Sequence, residues 1–209
     1  MPRRSLIHPA TLYKTIVLCL LLVPAAAAND WKFEDTRNDV REFAPGGTLR
    51  VHLGVGDLHI THGDANKVRL HYTVKSSRER DLKDANVDFD VHGKDADLEF
   101  HAPGSNTQID VELEVPPQTN LDVHDKVGDI TIEGVEGDKE VELNVGDIRV
   151  RADQNGYRLV RASTNIGDVN GSAYGEADGW LGKTLRYHGD GKYELRAHVL
   201  VGDINLDGK

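Results

Sequence analysis

The stretch Val141-Glu142-Leu143-Asn144-Val145-Gly146-Asp147-Ile148 decides how this chain reads. Its first five residues alternate apolar and polar, the period of a strand with one buried and one wet face. Glycine and aspartate then interrupt the alternation, and an aliphatic residue resumes it. Glycine adopts backbone conformations that other residues resist at a corner, and aspartate accepts hydrogen bonds from amides that a turn leaves unpaired. The octapeptide predicts strand, corner, strand, with the flanking Val and Ile ending and starting inward-facing strands.

The same apolar-Gly-Asp-apolar unit recurs at Val55-Gly56-Asp57-Leu58, Val127-Gly128-Asp129-Ile130, Ile166-Gly167-Asp168-Val169 and Val201-Gly202-Asp203-Ile204. Successive aspartates lie 72, 18, 21 and 35 residues apart. Steps of 18 and 21 suit one coil of a solenoid, in which equivalent corners stack about 4.8 Å apart. The step of 35 reads as one coil plus the inserted residues 171–191. The step of 72 is four times 18 without traceable intermediate copies.

Alternation with period two continues at Leu49, Val51 and Leu53, at Val68, Leu70, Tyr72 and Val74, at Val87, Phe89 and Val91, and at Ile109, Val111, Leu113 and Val115. Ile148, Val150 and Leu159 supply further inward positions. Turn clusters separate these runs at Pro45-Gly46-Gly47, Gly63-Asp64-Ala65-Asn66, Pro103-Gly104-Ser105-Asn106 and Gly189-Asp190-Gly191. No amphipathic helix is legible, and the charged stretch Ser76–Asp84 reads as a solvated loop or short turn. The expectation is an all-β chain, a β-solenoid-like stack of short strands with Gly-Asp corners. A twisted two-sheet β-sandwich is the alternative.

The chain opens with Arg3, Arg4 and Lys14, followed by the apolar run Ile16–Val23, Pro24 and four alanines at 25–28. A basic start, a short apolar core and an A-x-A site form a secretory signal peptide, and a spanning helix needs about 20 apolar residues. Residues 1–28 are therefore expected to be a cleaved signal, 29–42 a lead-in, and 43–209 a single β-repeat domain. The only cysteine, Cys19, lies within the signal, so the mature chain has no thiol for disulfides, metal binding or catalysis. Cleavage removes three basic residues and no acidic one, taking the net charge from −10 to −13. Such a chain, without a basic stripe, is a poor partner for nucleic acid. It is expected to be exported, to the periplasm, cell surface or medium, with no membrane insertion after cleavage.

The Gly-Asp repeats resemble the bacterial "putative adhesin" β-strand-repeat family of exported and envelope proteins. Ala44-Pro45-Gly46-Gly47-Thr48-Leu49 before the first repeat, Leu113-Glu114-Val115-Pro116-Pro117 and Gly179-Trp180-Leu181-Gly182-Lys183 carry the likeness along with the five repeats. It covers roughly residues 43–206. The resemblance implies a stacked, partly solenoidal β-fold and supplies no catalytic residues.

Four kinds of chemistry bear on particular residues. Calcium needs 6–8 oxygens, and one Gly and one Asp per coil offer too few. Gly56, Asp57, Gly128, Asp129, Gly146, Asp147, Gly167, Asp168, Gly202 and Asp203 are therefore expected as structural corners. Nine histidines remain after cleavage, mostly at outward positions, and His52, His59 and His71 are candidates to meet across strands as metal ligands. No H-x-H or H-E-x-x-H spacing supports them, so a surface role is expected and no cofactor or metal is assigned. Carboxylate pairs such as Asp88/Asp90 and Asp110/Glu112 share strand faces, yet no nucleophile elbow or P-loop accompanies them. Finally, residues 171–191 gather Tyr174, Trp180, Tyr187, Lys183 and Arg186. They are expected to cap an open end of the stack with Trp180, leaving Arg186 and Tyr187 as exposed contacts, or to form a binding surface with all three.

The functional expectation is a non-catalytic exported interaction or structural protein of the cell envelope, with an envelope protein or glycan as partner. A polysaccharide-acting β-solenoid enzyme is the alternative, on fold analogy alone.

Overall fold

The computed structural model describes residues 31–103 and 106–208; the expected signal at 1–28, with Cys19, and Gly104 and Ser105 of the expected turn cluster lie outside the described residues. Every Gly-Asp unit joins a strand of one sheet to a strand of a second sheet. The pairs are β2 (Thr48–Val55) with β3 (Leu58–His62), β8 (Asn120–Val127) with β9 (Ile130–Glu133), and β10 (Lys139–Val145) with β11 (Ile148–Ala152). They continue with β12 (Tyr157–Ile166) and β13 (Val169–Asn170), then β15 (Tyr193–Val201) and β16 (Ile204–Gly208). A sixth level has no Gly-Asp corner and is made by β6 (Asp95–His101) and β7 (Thr107–Val115).

The described residues are all-β apart from short helical turns, in two mixed eight-stranded sheets that do not close. With β1 (Phe33–Glu42), β4 (Lys67–Ser76), β5 (Asn86–His92) and β14 (Thr184–His188) added, the first sheet runs β1-β4-β7-β3-β9-β11-β16-β13. The second runs β14-β12-β15-β10-β8-β2-β6-β5. Central pairings are parallel, and antiparallel partners occur toward the ends: β1 with β4, β4 with β7, β5 with β6, β12 with β14. The inner faces share one core. Val51, Val123, Val160 and Val199 come from one sheet, and Ile60, Ile132, Ile148 and Ile204 from the other, all essentially inaccessible to water. The lead-in supplies β1 as an edge strand.

Stacking order departs from sequence order. The corners meet as Asp57, Asp129, Asp147, Asp203, Asp168, so the 72-residue step is a single level and the 21-residue step is not a neighbour relation. Residues 63–119, containing β4, β5, β6 and β7, are an excursion that returns to the same stack. The β12–β13 level is the last of the Gly-Asp levels, and β13, only two residues long, ends the first sheet. After it the chain runs to β14 on the outer side of β12, then crosses to place β15 between β10 and β12.

Three local expectations are corrected. Glu79–Asp84 form a short helix, α1, rather than a loop. The Arg37 guanidinium donates to the carbonyls of Leu82 and Ala85 at 3.2 and 3.1 Å, satisfying acceptors that a helix end leaves free. The aliphatic residue before each glycine does not point inward: Val55, Val127, Val145, Val201 and Ile166 are 40–51% exposed, whereas Leu58, Ile130, Ile148, Ile204 and Val169 after the aspartates are buried. Leu159 is also outward, because the register against β15 shifts between Tyr157 and Leu159 and hands the inward position to Val160.

Candidate interaction surface

The corner begins with glycine. Gly146 has φ +132°, and a Cβ there would collide with the carbonyl oxygen of Gly128 on the level below. The same close approach relates Gly128 to Gly56, Gly202 to Gly146 and Gly167 to Gly202. Packing the corners this tightly lets each aspartate reach its neighbour. The Oδ1 atoms of Asp57, Asp129, Asp147 and Asp203 accept the backbone N–H of Asp129, Asp147, Asp203 and Asp168 at 3.0, 3.0, 2.8 and 2.7 Å. The acceptors are thus on the adjacent level rather than within the same turn. Asp110, which the repeat pattern does not reveal, starts the ladder by accepting the Asp57 N–H at 3.3 Å. Burial works against the Asp110 carboxylate. Hydrogen bonds from Lys75, Gln108 and Asp57 outweigh it and hold the group below its ordinary range.

Beside this ladder the exposed aliphatics form a ridge. Val55 is in register with Val127, Val127 with Val145, Val145 with Val201, and Val201 with Ile166. Five branched side chains therefore line one corner at the inter-strand spacing of about 4.8 Å.

The segment 171–191 stands at the outer end of that ridge. Tyr174 and Leu185 are the buried side chains of its cap, and the Tyr187 ring meets Tyr174 edge-on at 5.4 Å between centroids. Trp180 is 98% exposed and Leu181 67%, so Trp180 is not the capping ring expected from sequence. A buried ring needs apolar surface to cover, and Tyr174 already occupies that surface. The Trp180 turn is nonetheless fixed. Asp178 and Thr184 exchange backbone hydrogen bonds at 2.9 and 2.8 Å, and the Thr164 N–H donates to the Lys183 carbonyl at 2.9 Å. Lys183 Nζ donates to the Gly179 carbonyl at 2.9 Å. Arg186 is exposed and Tyr187 half-buried on β14.

The histidines divide between the sheets. His59 and His71 flank Glu112 in register on the outer face of the first sheet, while His52 lies on the second, stacked on His124 at 5.2 Å. The three do not meet. His124 contacts Asp122 at 2.9 Å and Glu142 at 3.2 Å beside a groove of about 330 Å³. Among the described residues, no group of three or more His, Cys, Asp or Glu side chains is placed to hold a metal ion. Asp88 and Asp90 are exposed and face Glu99 and Asp97.

Burial strongly perturbs four titratable groups: it pushes the Tyr157 and Tyr174 hydroxyls up, and it shifts Asp125, beside the His124 groove, and Lys139. The Asp125 carboxyl is pushed up to about 7, and its Oδ2 has no hydrogen-bond partner among the described residues. The Lys139 amine is pushed down to about 7; its Nζ donates to the Gly137 carbonyl at 2.9 Å and lies 5.2 Å from the centre of the Tyr157 ring.

No family model matches this chain, and no curated protein matches it. A solved "putative cell adhesion protein" from Clostridium sporogenes is 18% identical, with a TM-score of 0.52 over 84% of this chain and 100% of that chain. The two share a fold. A "putative adhesin" from Bacteroides fragilis is 12% identical over 84% of this chain and 97% of that one, with a TM-score of 0.31. Another from Parabacteroides merdae is 11% identical over 82% and 81%, with a TM-score of 0.29. Among the described residues, no helix is long and apolar enough to cross a membrane.

Proposed function

We propose that this chain is an exported, non-catalytic, adhesin-like protein of the cell envelope that binds an envelope protein or glycan through one end of its β-stack. The observation that carries this reading is the exposed apolar surface: the five-residue corner ridge together with Trp180 and Leu181 on a pinned turn. Large apolar side chains left outside a chain this acidic are expensive in water, and exposed apolar patches mark contact sites. Pinning the turn reduces the entropy that binding would otherwise cost. The interleaved levels are read as a solenoid-like stack in which regular corners provide rigidity and residues 171–191 provide specificity. Trp180, Arg186 and Tyr187 are the contact residues on this reading.

Binding of the mature chain to intact envelopes, compared with Trp180→Ala, tests the proposal. A loss of binding at unchanged stability supports it. Turnover of a glycan by the purified protein would overturn it in favour of the enzymatic alternative.

A further inference from the structure

On the outer face of the second sheet, three arginines stand side by side. Arg161 of β12 is in register with Arg186 of β14 on one side and with Arg196 of β15 on the other. All three are exposed. Arg196 donates to Glu194 at 2.6 Å, and Glu194 also receives Arg158 at 2.6 Å. Arg161 and Arg186 form no salt bridge among the described residues, in contrast to Arg37, Arg41, Arg50, Arg69 and Arg151. Like charges directly opposite on neighbouring strands are destabilising. Here the arrangement occurs in a chain with 35 acidic residues available to relieve it. Farther along the same cross-strand row, charges of both signs do mix: Glu140, Asp122, Arg50 and Asp97 follow Arg196.

We infer that the Arg186–Arg161–Arg196 row is a binding site for an acidic polysaccharide, taking carboxylate or sulfate groups carried on successive sugars. This deepens the proposed function and rests on its reading of residues 171–191 as the contact end. The three arginines follow one another at the strand spacing of about 4.8 Å, a length close to one sugar ring, so an extended polyanion laid across the strands presents charges in step with the row. Guanidinium forks pair with such oxyanions through two parallel hydrogen bonds. Two positions along the same strands lies a second row, Thr184, Ser163 and His198, with Ser163 Oγ 3.0 Å from His198 Nδ1. It offers hydroxyl and imidazole groups to sugar hydroxyls. Trp180 sits four residues before Thr184, on the pinned turn that leads into β14, and gives a sugar ring an aromatic face to stack on. These groups favour a glycan over an acidic peptide, which has no ring to stack. The overall acidity of the chain disfavours a long nucleic acid, whose many phosphates would meet only three cations.

The test is isothermal titration of the full mature chain with polygalacturonate, a sulfated dextran, neutral dextran, polyglutamate and sodium sulfate. The expected result is salt-sensitive binding of polygalacturonate or sulfated dextran and none of neutral dextran. Arg161→Ala and Arg186→Ala should each weaken it about tenfold, the loss expected for a charge-assisted pair. Both replace exposed side chains and relieve repulsion, so both should fold with unchanged or raised melting temperature, and Arg161→Lys should recover only part of the affinity. Absence of polyanion binding, or binding indifferent to both alanine variants, overturns the inference. Polyglutamate bound as tightly as polygalacturonate, with no effect of Trp180→Ala, would also overturn it and assign the row to acidic peptides. Binding of sulfate alone, without the polymers, would overturn the polysaccharide assignment. The proposed function fails separately: if Trp180→Ala leaves envelope binding intact, the contact end is wrong whatever the arginine row binds.

Discussion

Asp147 Oδ1 accepts the backbone N–H of Asp203 at 2.8 Å, across 56 residues of sequence. The bond satisfies an amide at a corner where the chain changes sheets and no ladder partner is available. Four such bonds link the five corners. Asp168, at the outer end, donates its N–H to Asp203, and its carboxylate receives no hydrogen bond among the described residues.

That asymmetry gives the first prediction. Asp147→Ala should cost about 1–2 kcal/mol by leaving the Asp203 amide unpaired, whereas Asp168→Ala should cost less than about 0.5 kcal/mol. Urea unfolding of the two variants checks it. Equal losses would mean that the ladder does not stabilise the corners, and a calcium-dependent loss at Asp147 would replace the ladder with an ion site.

Substitution at Gly146 should be far more damaging. Its φ of +132° and the collision of a Cβ with the Gly128 carbonyl act together. Gly146→Val should lose about 3 kcal/mol or more through backbone strain and overpacking. Gly54→Ala is the control, because a Cβ there meets nothing within 4 Å. A Gly146→Val protein as stable as the control would refute the close-approach argument.

Stability should pass through a minimum near neutral pH. Burial raises the Asp125 carboxyl from 3.8 to about 7, so the folded chain keeps a proton that the unfolded chain has released. Its contribution to stability therefore falls as pH rises from about 4 to about 7. Burial lowers the Lys139 amine from 10.5 to about 7, so above neutrality the folded chain lacks a proton that the unfolded chain still holds. Its contribution rises as pH goes from about 7 to about 10. Asp125→Asn should abolish the falling limb and Lys139→Met the rising one, read as urea midpoints across that range. A falling limb unchanged in Asp125→Asn would assign it to other groups.

The two aromatic residues of the outer segment should separate cleanly. Trp180→Ala should change stability by less than about 0.5 kcal/mol, as an exposed substitution does. Tyr174→Ala should cost about 3 kcal/mol, because its buried ring closes the end of the core. Thermal and urea unfolding of both variants decide the matter. A large loss at Trp180 would restore it as the cap.

Much of the fold was legible because strand alternation and Gly-Asp corners are local. Inward runs such as Val68 to Val74 and Ile109 to Val115 are buried as their period implies. Other features were not, since burial of a residue near a corner depends on what lies across it. Val145 reads like any other alternating aliphatic, yet it faces water because the chain turns at Gly146 before a second sheet can cover it. Trp180 looked like a cap from its size, but Tyr174 reached the core end first. The arginine row could not be seen at all: Arg161, Arg186 and Arg196 are scattered in sequence, and only the pairings of β14, β12 and β15 align them.

By itself, the sequence determined that the chain is built of strands, where it turns, and which glycines and aspartates form the corners, because these follow from period and backbone preference over a few residues. Only the tertiary structure decided which levels touch. Parallel levels with similar aliphatic faces are nearly interchangeable locally, and their order depends on how the excursion of residues 63–119 returns and where the two-residue β13 can end the stack. The same packing decided the surface: it left the corner ridge and Trp180 in water and brought three distant arginines into one row.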